Sequence, residues 1–219
     1  MQSVVEHEVA PAPQPRAPQP RPPARSRVRH HGPTVVLVTI LLVLIGVVLF
    51  FKPYRVTSGS MAPTAMVGQR VLADHVSDGK WTPKVGQVIV FKAPAGAEEF
   101  ADRICGVDRP SGTACVDAIP GRTETSFVKR VVGVAGDHLR VVHGHVIRNG
   151  EAVDEGYARS CEDEICNLSE FTVPAGTFYV MGDNRGDSSD SRFWGPVPRE
   201  QIIGRVFGSY WPLSRLGRL

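Results

Sequence analysis

Ser126-Phe127-Val128-Lys129-Arg130-Val131-Val132 is the stretch on which the reading of the whole chain turns. Its residues suit a strand, and two-residue alternation places Phe127, Lys129 and Val131 on one face. Similar strand-like patterns run over Arg70 to His75, Gln87 to Phe91, Leu139 to Val142, Thr177 to Met181 and Ile202 to Phe207. Glycine, proline and aspartate separate them, and Asn149-Gly150 is a tight-turn dipeptide. No long amphipathic helical period occurs beyond Arg55. The expected fold is mainly β, with a coiled or barrel-like sheet.

Lys129 is open to two readings within that strand. If it is buried between its apolar neighbours, its charged form is disfavoured and the neutral amine can accept a proton. If it lies on an edge, it snorkels to water and discourages aggregation. The pattern alone does not choose between them.

Working toward the N-terminus, Thr34 to Phe51 carries no charge and is long enough for about 27 Å of helix. Arg16, Arg21, Arg25, Arg27 and Arg29 precede it, opposed in the arm only by Glu6 and Glu8, so the net charge of +3 reflects a basic arm and not a basic domain. Arginines on the near side put the N-terminus in the cytoplasm and attract anionic lipid heads. Lys52 and Tyr54 suit the far interface, one snorkelling and one as an aromatic anchor. A cleaved signal peptide would have a shorter apolar region, about 7 to 15 residues, and a small-residue cleavage site in place of Lys52-Pro53-Tyr54-Arg55. Nucleic acid is not an expected partner, because the arm has no aromatic residue for stacking and no recognisable binding fold.

The domain organisation that follows is a disordered Pro/Arg-rich cytoplasmic arm over 1–33, a transmembrane helix over 34–52, and an extracytoplasmic β-rich domain over 55–219. With 42% hydrophobic and 21% charged residues, that composition fits a globular domain on one membrane segment, in a plasma membrane crossed once. Two polar stretches, 93–125 and 154–170, read as surface insertions. They hold Cys105, Cys115, Cys161 and Cys166, an even count compatible with two local disulfides in an exported domain. Four-thiolate zinc and free thiols stay open, although the nine-residue gap between Cys105 and Cys115 is poor zinc spacing.

A hydroxyl-rich turn, Ser58-Gly59-Ser60-Met61-Ala62-Pro63-Thr64, lies just past the apolar run, and a serine needs a base to act as a nucleophile. Of the histidines, His7, His30 and His31 precede the apolar run. His75 and His138 stand alone, and His143-Gly144-His145 reads as a polar turn. No serine sits in a Gly-x-Ser-x-Gly elbow. Lys129 is the better base. Gly182-Asp-Asn-Arg-Gly-Asp-Ser-Ser-Asp-Ser-Arg192 follows a strand and can set hydroxyls and a carboxylate–guanidinium pair beside a site. It misses the calcium-loop pattern, its Arg185-Gly186-Asp187 is an adhesion-like tripeptide, and a purely structural turn remains the bland alternative.

Together these stretches resemble the type I signal peptidases, membrane-bound Ser/Lys proteases that remove signal peptides. Ser58 to Thr64 is similar to the family's nucleophile box and Gly86 to Phe91 to its following strand box. Phe127 to Asp137 resembles the lysine box and Gly182 to Gly195 the last box, all in the family's order. Gln87, where an acidic residue is usual, and Ala135, where proline is common, depart from the pattern.

The resemblance implies Ser60 as nucleophile, Lys129 as general base, and the Ser58 hydroxyl with the Ser60 N–H as oxyanion hole. It implies Ser188 as the group orienting Lys129, Asp190 and Arg192 as a supporting salt bridge, and Asp183 as a holder of the loop. Met61 and Pro63 would shape the turn and the substrate cleft. The implied substrates are exported preproteins cut after small residues at −3 and −1, beside the lipid bilayer and the secretion translocon, with no metal and no cofactor. Two other classes compete. A self-cleaving LexA-like Ser/Lys regulator lacks the membrane anchor, and a non-catalytic membrane-anchored binding module leaves Ser60, Lys129 and Ser188 to coincidence.

Overall fold

The computed structural model describes residues 32–74, 81–97, 105, 110, 112–117, 119–217 and 219, with no side-chain description at 33 and 47–49. The basic arm up to residue 31, His75 and part of the 93–125 stretch lie outside the described residues. The chain divides between Leu41 and Leu42 into two compact units, each described by itself.

Helix α1 runs over Gly32–Phe50, 19 residues without a charged side chain. Its apolar side chains from Val35 to Ile45 are exposed. Counted over the described residues alone, no helix is long and apolar enough to cross a membrane. The helix stops earlier than the apolar run: Phe51 opens strand β1 (Phe51–Arg55), and Lys52 is exposed within it. Tyr54, expected at a membrane interface, pairs with Val71 and packs half-buried against a core cluster. The strand ladder takes over there because Phe51 to Arg55 finds a partner strand in register.

The remaining strands are β2 (Arg70–Asp74), β3 (Val88–Lys92), β4 (Ser126–Val134), β5 (His138–Val142), β6 (His145–Arg148), β7 (Glu151–Ala152), β8 (Leu168–Thr172), β9 (Thr177–Met181), β10 (Val197–Pro198) and β11 (Ile202–Trp211), with a short helix α2 (Ser191–Trp194). They form a seven-stranded antiparallel sheet in the order β1-β2-β11-β3-β4-β9-β10 and a four-stranded sheet in the order β7-β6-β5-β8. The mainly-β expectation holds, and the larger sheet is open, with β1 and β10 at its edges. The six strands expected from sequence all form: Thr177–Met181 keeps its expected bounds, and the ends of the others move by no more than four residues. Asn149 and Gly150, both at positive φ (54° and 83°), make the turn between β6 and β7. His143 and Gly144 turn in the same way between β5 and β6.

Strand β3 is buried on both faces. Ile89 and Phe91 join one core cluster with Val131, Phe178, Val180 and Trp194, whereas Val88 and Val90 join another with Val56, Met61 and Val206. Strand β4 pairs with β3 over Ser126 to Arg130 and with β9 from Arg130 onward, and Lys129 is buried, which rules out the snorkelling reading. Phe127 and Val131 do face one cluster, as alternation predicts, and Lys129 lies between them. A third cluster joins the sheets, with Val132, Tyr179 and Met181 from the large sheet and Leu139, Val141, Val146 and Leu168 from the small one.

The two cysteine-bearing stretches are not simple surface loops. Ala93, Ala114, Cys115 and Thr123 are buried in the first, and Glu155, Cys161, Cys166 and Leu168 in the second. Leu168 belongs to strand β8, which pairs with β5. In the second stretch a polar residue, Glu155, is buried in an ion pair with Arg185. Cys105 is bonded to Cys115 and Cys161 to Cys166. That pairing removes the four-thiolate zinc alternative, since a disulfide sulfur is not a thiolate.

Candidate active site

Ser58 is extended (φ −127°, ψ 160°) and leads into a single 3₁₀ turn over Gly59–Met61. The turn buries Ser60 and Met61 while leaving Ser58 exposed. Pro63, which follows through a cis bond, is exposed and lies outside the cleft lining, so of the two residues expected to shape the cleft only Met61 reaches it. Ser58 Oγ and Ser60 Oγ are 3.1 Å apart and hydrogen-bonded.

Both serines open into a cleft of about 340 Å³. One wall runs from Arg55 to Met61, the other from Thr125 to Lys129, and Asp187, Ser188 and Ser189 close the end. The β3 side of Ser126 to Lys129 is paired. On the opposite side β9 pairs with β4 only from Arg130 onward, so Ser126 to Lys129 keeps one edge unpaired by a strand among the described residues.

Lys129 enters that cleft only 3% exposed. Burial lowers its pKa to about 8, Asp190 works to raise it, and Arg192 lowers it again. Among the described residues its amine forms no ion pair; Nζ donates to Ser188 Oγ at 3.0 Å. Ser188 Oγ in turn donates to Asp190 Oδ2 at 2.7 Å. The arrangement holds an amine in place with a hydroxyl, with the nearest carboxylate one hydrogen bond further away. The Ser60 hydroxyl has Ser58 as its partner and not Lys129, an arrangement compatible with catalytic contacts that close only when substrate binds.

Behind the cleft lies a layer of buried ion pairs. Asp190 accepts from Arg192 Nε at 2.8 Å and Nη2 at 2.9 Å, and from the Gly182 N–H at 2.9 Å. Burial pushes the Asp190 carboxyl up, but Arg192, with Lys129 and the Gly182 N–H, outweighs burial and holds it below its ordinary range. Asp183 accepts from Arg130 Nε at 2.8 Å and Nη2 at 2.6 Å, and from Thr64 Oγ1 at 2.5 Å. That carboxylate therefore ties the serine turn to the strand bearing Lys129. Asn184 adds a second tie, its N–H donating to the Ser60 carbonyl at 3.0 Å and its side chain to the Gly59 carbonyl at 3.2 Å. Gly182 is required by the same crowding: a Cβ there would lie 2.2 Å from Ser188 Oγ and 2.4 Å from the Ser60 carbonyl oxygen.

The 154–170 stretch reaches this layer from the outside. Arg185 pairs with Glu155 at 2.6 Å and donates to the Gly182 carbonyl at 2.9 Å and to the Gly144 carbonyl. Tyr157 lies under Arg130, 3.9 Å from guanidinium carbon to ring centre, and burial followed by Glu155 pushes its hydroxyl pKa up. Arg192 Nη1 donates to the Cys166 sulfur at 3.3 Å. With Arg185 buried, the Arg-Gly-Asp tripeptide does not present its arginine. With Asp183 and Asp190 bound by arginines, the loop does not offer calcium those carboxylates.

The structure thus brings together Ser58, Ser60, Met61, Lys129 and Ser188 in the cleft, with Asp183, Asp190 and Arg192 behind it. Reading the sequence left out Thr64, Arg130, Asn184, Arg185 and Glu155. The signal available for Arg130 was its place next to Lys129 on a central strand. For Glu155 there was none, because its partner is thirty residues away in sequence.

A family model described as signal peptidase, peptidase S26, matches residues 29–211. The chain is 31% identical to a probable signal peptidase I-2 of Synechocystis sp., over 84% of this chain and 74% of that one. It is 35% identical to a signal peptidase I of Leptolyngbya laminosa, over 75% and 70%, and 29% identical to signal peptidase I U of Bacillus subtilis, over 84% and 87%. Extending from just before α1 to the end of β11, the match takes in both walls of the cleft and the ion pairs behind it, and the chain belongs to the signal peptidase family, peptidase S26.

Proposed function

We propose that the chain is a membrane-anchored serine endopeptidase that removes signal peptides from exported preproteins with a Ser60/Lys129 dyad. The observation that carries the reading is Lys129: a nearly fully buried amine, in the same cleft as Ser60, with its pKa lowered to about 8 and no ion pair among the described residues. The neutral amine takes the proton of the Ser60 hydroxyl as Ser60 Oγ attacks the scissile carbonyl. The Ser58 hydroxyl and Ser60 N–H stabilise the oxyanion. The protonated amine then gives its proton to the departing amino group, leaving an acyl-enzyme. Lys129 activates water to hydrolyse that ester.

Ser188 keeps the amine aimed, and the Asp190–Arg192 pair keeps Ser188 aimed. The unpaired edge of Ser126 to Lys129 suits an extended substrate segment added as a strand. The segment before the scissile bond takes the channel lined by Arg55 and Thr125, with small residues at −3 and −1 as the reading requires. The nineteen uncharged residues of α1 support a single membrane anchor with the N-terminus in the cytoplasm, the remaining domain outside the plasma membrane, and the translocon nearby.

The direct test is cleavage of a preprotein with an Ala-x-Ala site by detergent-solubilised protein, with Ser60→Ala alongside. Cut after that site by the wild type alone, the preprotein identifies peptidase and nucleophile together. A folded wild type that leaves it uncut sinks the reading.

A further inference from the structure

A second groove, about 180 Å³, opens on the far side of the Asp187–Ser189 ridge. Asp187, Ser188 and Ser189 line both it and the Ser60 cleft, so the two flank the same ridge. Its other walls are Ile165 and Phe193. Ile165 lies inside the Cys161–Cys166 disulfide loop, and the Phe193 carbonyl accepts the Cys105 N–H at 2.5 Å. Each wall is therefore held by one of the two cystine-bearing stretches.

Charge in the groove is one-sided. Arg185 lines it, but its guanidinium is buried and bound to Glu155 at 2.6 Å. Asp187 is exposed and forms no ion pair among the described residues; its carboxylate accepts from the Asn184 side-chain amide at 3.5 Å and, from the ridge between the two grooves, also favours the charged form of Lys129. A long side chain with an apolar stem and a cationic head matches this surface, the stem along Ile165 and Phe193 and the head at Asp187.

We infer that this groove is a subsite for the first residues of the mature protein, and that it favours lysine or arginine at the first two positions after the scissile bond. The inference rests on the peptidase reading, which fills the Arg55/Thr125 channel with the signal peptide and leaves the Ser188–Ser189 end as the exit for the mature chain. The groove has room for one long side chain, and the exposed carboxylate discriminates by about threefold to fivefold.

The test uses full-length protein in detergent and peptides with one fixed Ala-x-Ala segment, differing only in lysine or glutamate at the two following positions. The readout is the ratio of kcat/KM for the lysine peptide to that for the glutamate peptide, which a uniform loss of activity does not move. The expected ratio of about threefold to fivefold falls to about one in Asp187→Asn and inverts in Asp187→Lys. Ile165→Lys, which places a cation in the second groove alone, lowers the ratio with Asp187 intact and separates this groove from the main cleft. Cleavage at a ratio near one in every variant overturns the subsite and leaves the peptidase standing. Failure to cleave any of the peptides overturns both.

Discussion

The front and back of this site are built on opposite principles. In front, Ser58, Ser60, Lys129 and Ser188 are joined only by hydroxyl and amine hydrogen bonds. Behind, Arg130–Asp183, Arg192–Asp190 and Arg185–Glu155 are three buried ion pairs at 2.6 to 2.8 Å. Lys129 and Arg130 are adjacent on β4 and both buried, yet one amine has no carboxylate and the other guanidinium is bidentate to one. Placing charge behind the site and hydroxyls in front allows a lysine to lose its proton near neutral pH. The back layer is kept rigid because a broken buried pair is costly.

The sharpest way to break this contrast is Lys129→Met, which removes a buried amine that forms no ion pair among the described residues. Turnover should fall by roughly 10⁴-fold or more. Stability should not fall with it. Because the folded pKa is depressed to about 8 from 10.5, the native amine lowers stability increasingly as pH drops through that window, fully so below about 8. The variant should therefore melt at the same or a higher temperature than wild type at pH 7, and the gap should close as pH approaches 10.5. A lower melting temperature at pH 7 would mean that the amine holds the fold together, as the back layer does.

Next in size are the carboxylates of the back layer. Asp190→Asn and Glu155→Leu each leave a buried guanidinium without its partner, at a cost of about 3 to 5 kcal/mol in denaturant unfolding. The double variant Glu155→Leu with Arg185→Leu should lose less than Glu155→Leu alone, since it removes both charges. Equal losses in the single and double variants would show that packing, and not the uncompensated charge, carries the effect.

Ser58→Ala should reduce kcat by roughly 10² to 10³ with little change in KM, because its hydroxyl acts only as charge develops on the carbonyl oxygen. Being exposed at the front, it should leave the unfolding midpoint where it is. A change confined to KM would assign the hydroxyl to substrate binding instead.

The front of the site was more legible in the sequence than the back, for a physical reason. Lys129 and its strand neighbours announce themselves by local alternation, and Ser58 to Thr64 and Gly182 to Gly195 are contiguous stretches. Asp190 and Arg192 stand two residues apart and could be paired on paper. Arg130 with Asp183 and Arg185 with Glu155 are separated by 53 and 30 residues, and only the folded sheets bring them together. The same holds for the missed strands. Strand β8 reads Leu-Ser-Glu-Phe-Thr, and β7 has two residues, so neither carries a pattern before β5 and β6 supply partners. Burial in the cystine-bearing stretches was hidden because Glu155 counts as polar in composition whether or not an arginine covers it.

The smallest expected effect is a displacement of the pH profile, and it joins front to back. With a neutral Lys129 as base, kcat/KM should rise with pH through about 8, since the protonated amine cannot accept the Ser60 proton. Asp190 favours the ammonium form and Arg192 opposes it. Asp190→Asn removes the favouring charge and leaves the opposing one, so the acidic limb moves to lower pH even as kcat falls through a weaker hold on Ser188. Ser58→Ala leaves the charge behind the site intact and should leave the limb in place. Peptide assays across pH 5 to 10 with both variants decide the matter. A limb unmoved in Asp190→Asn would mean that burial alone sets the lysine pKa, and that the ion pairs behind it serve only to hold the loop.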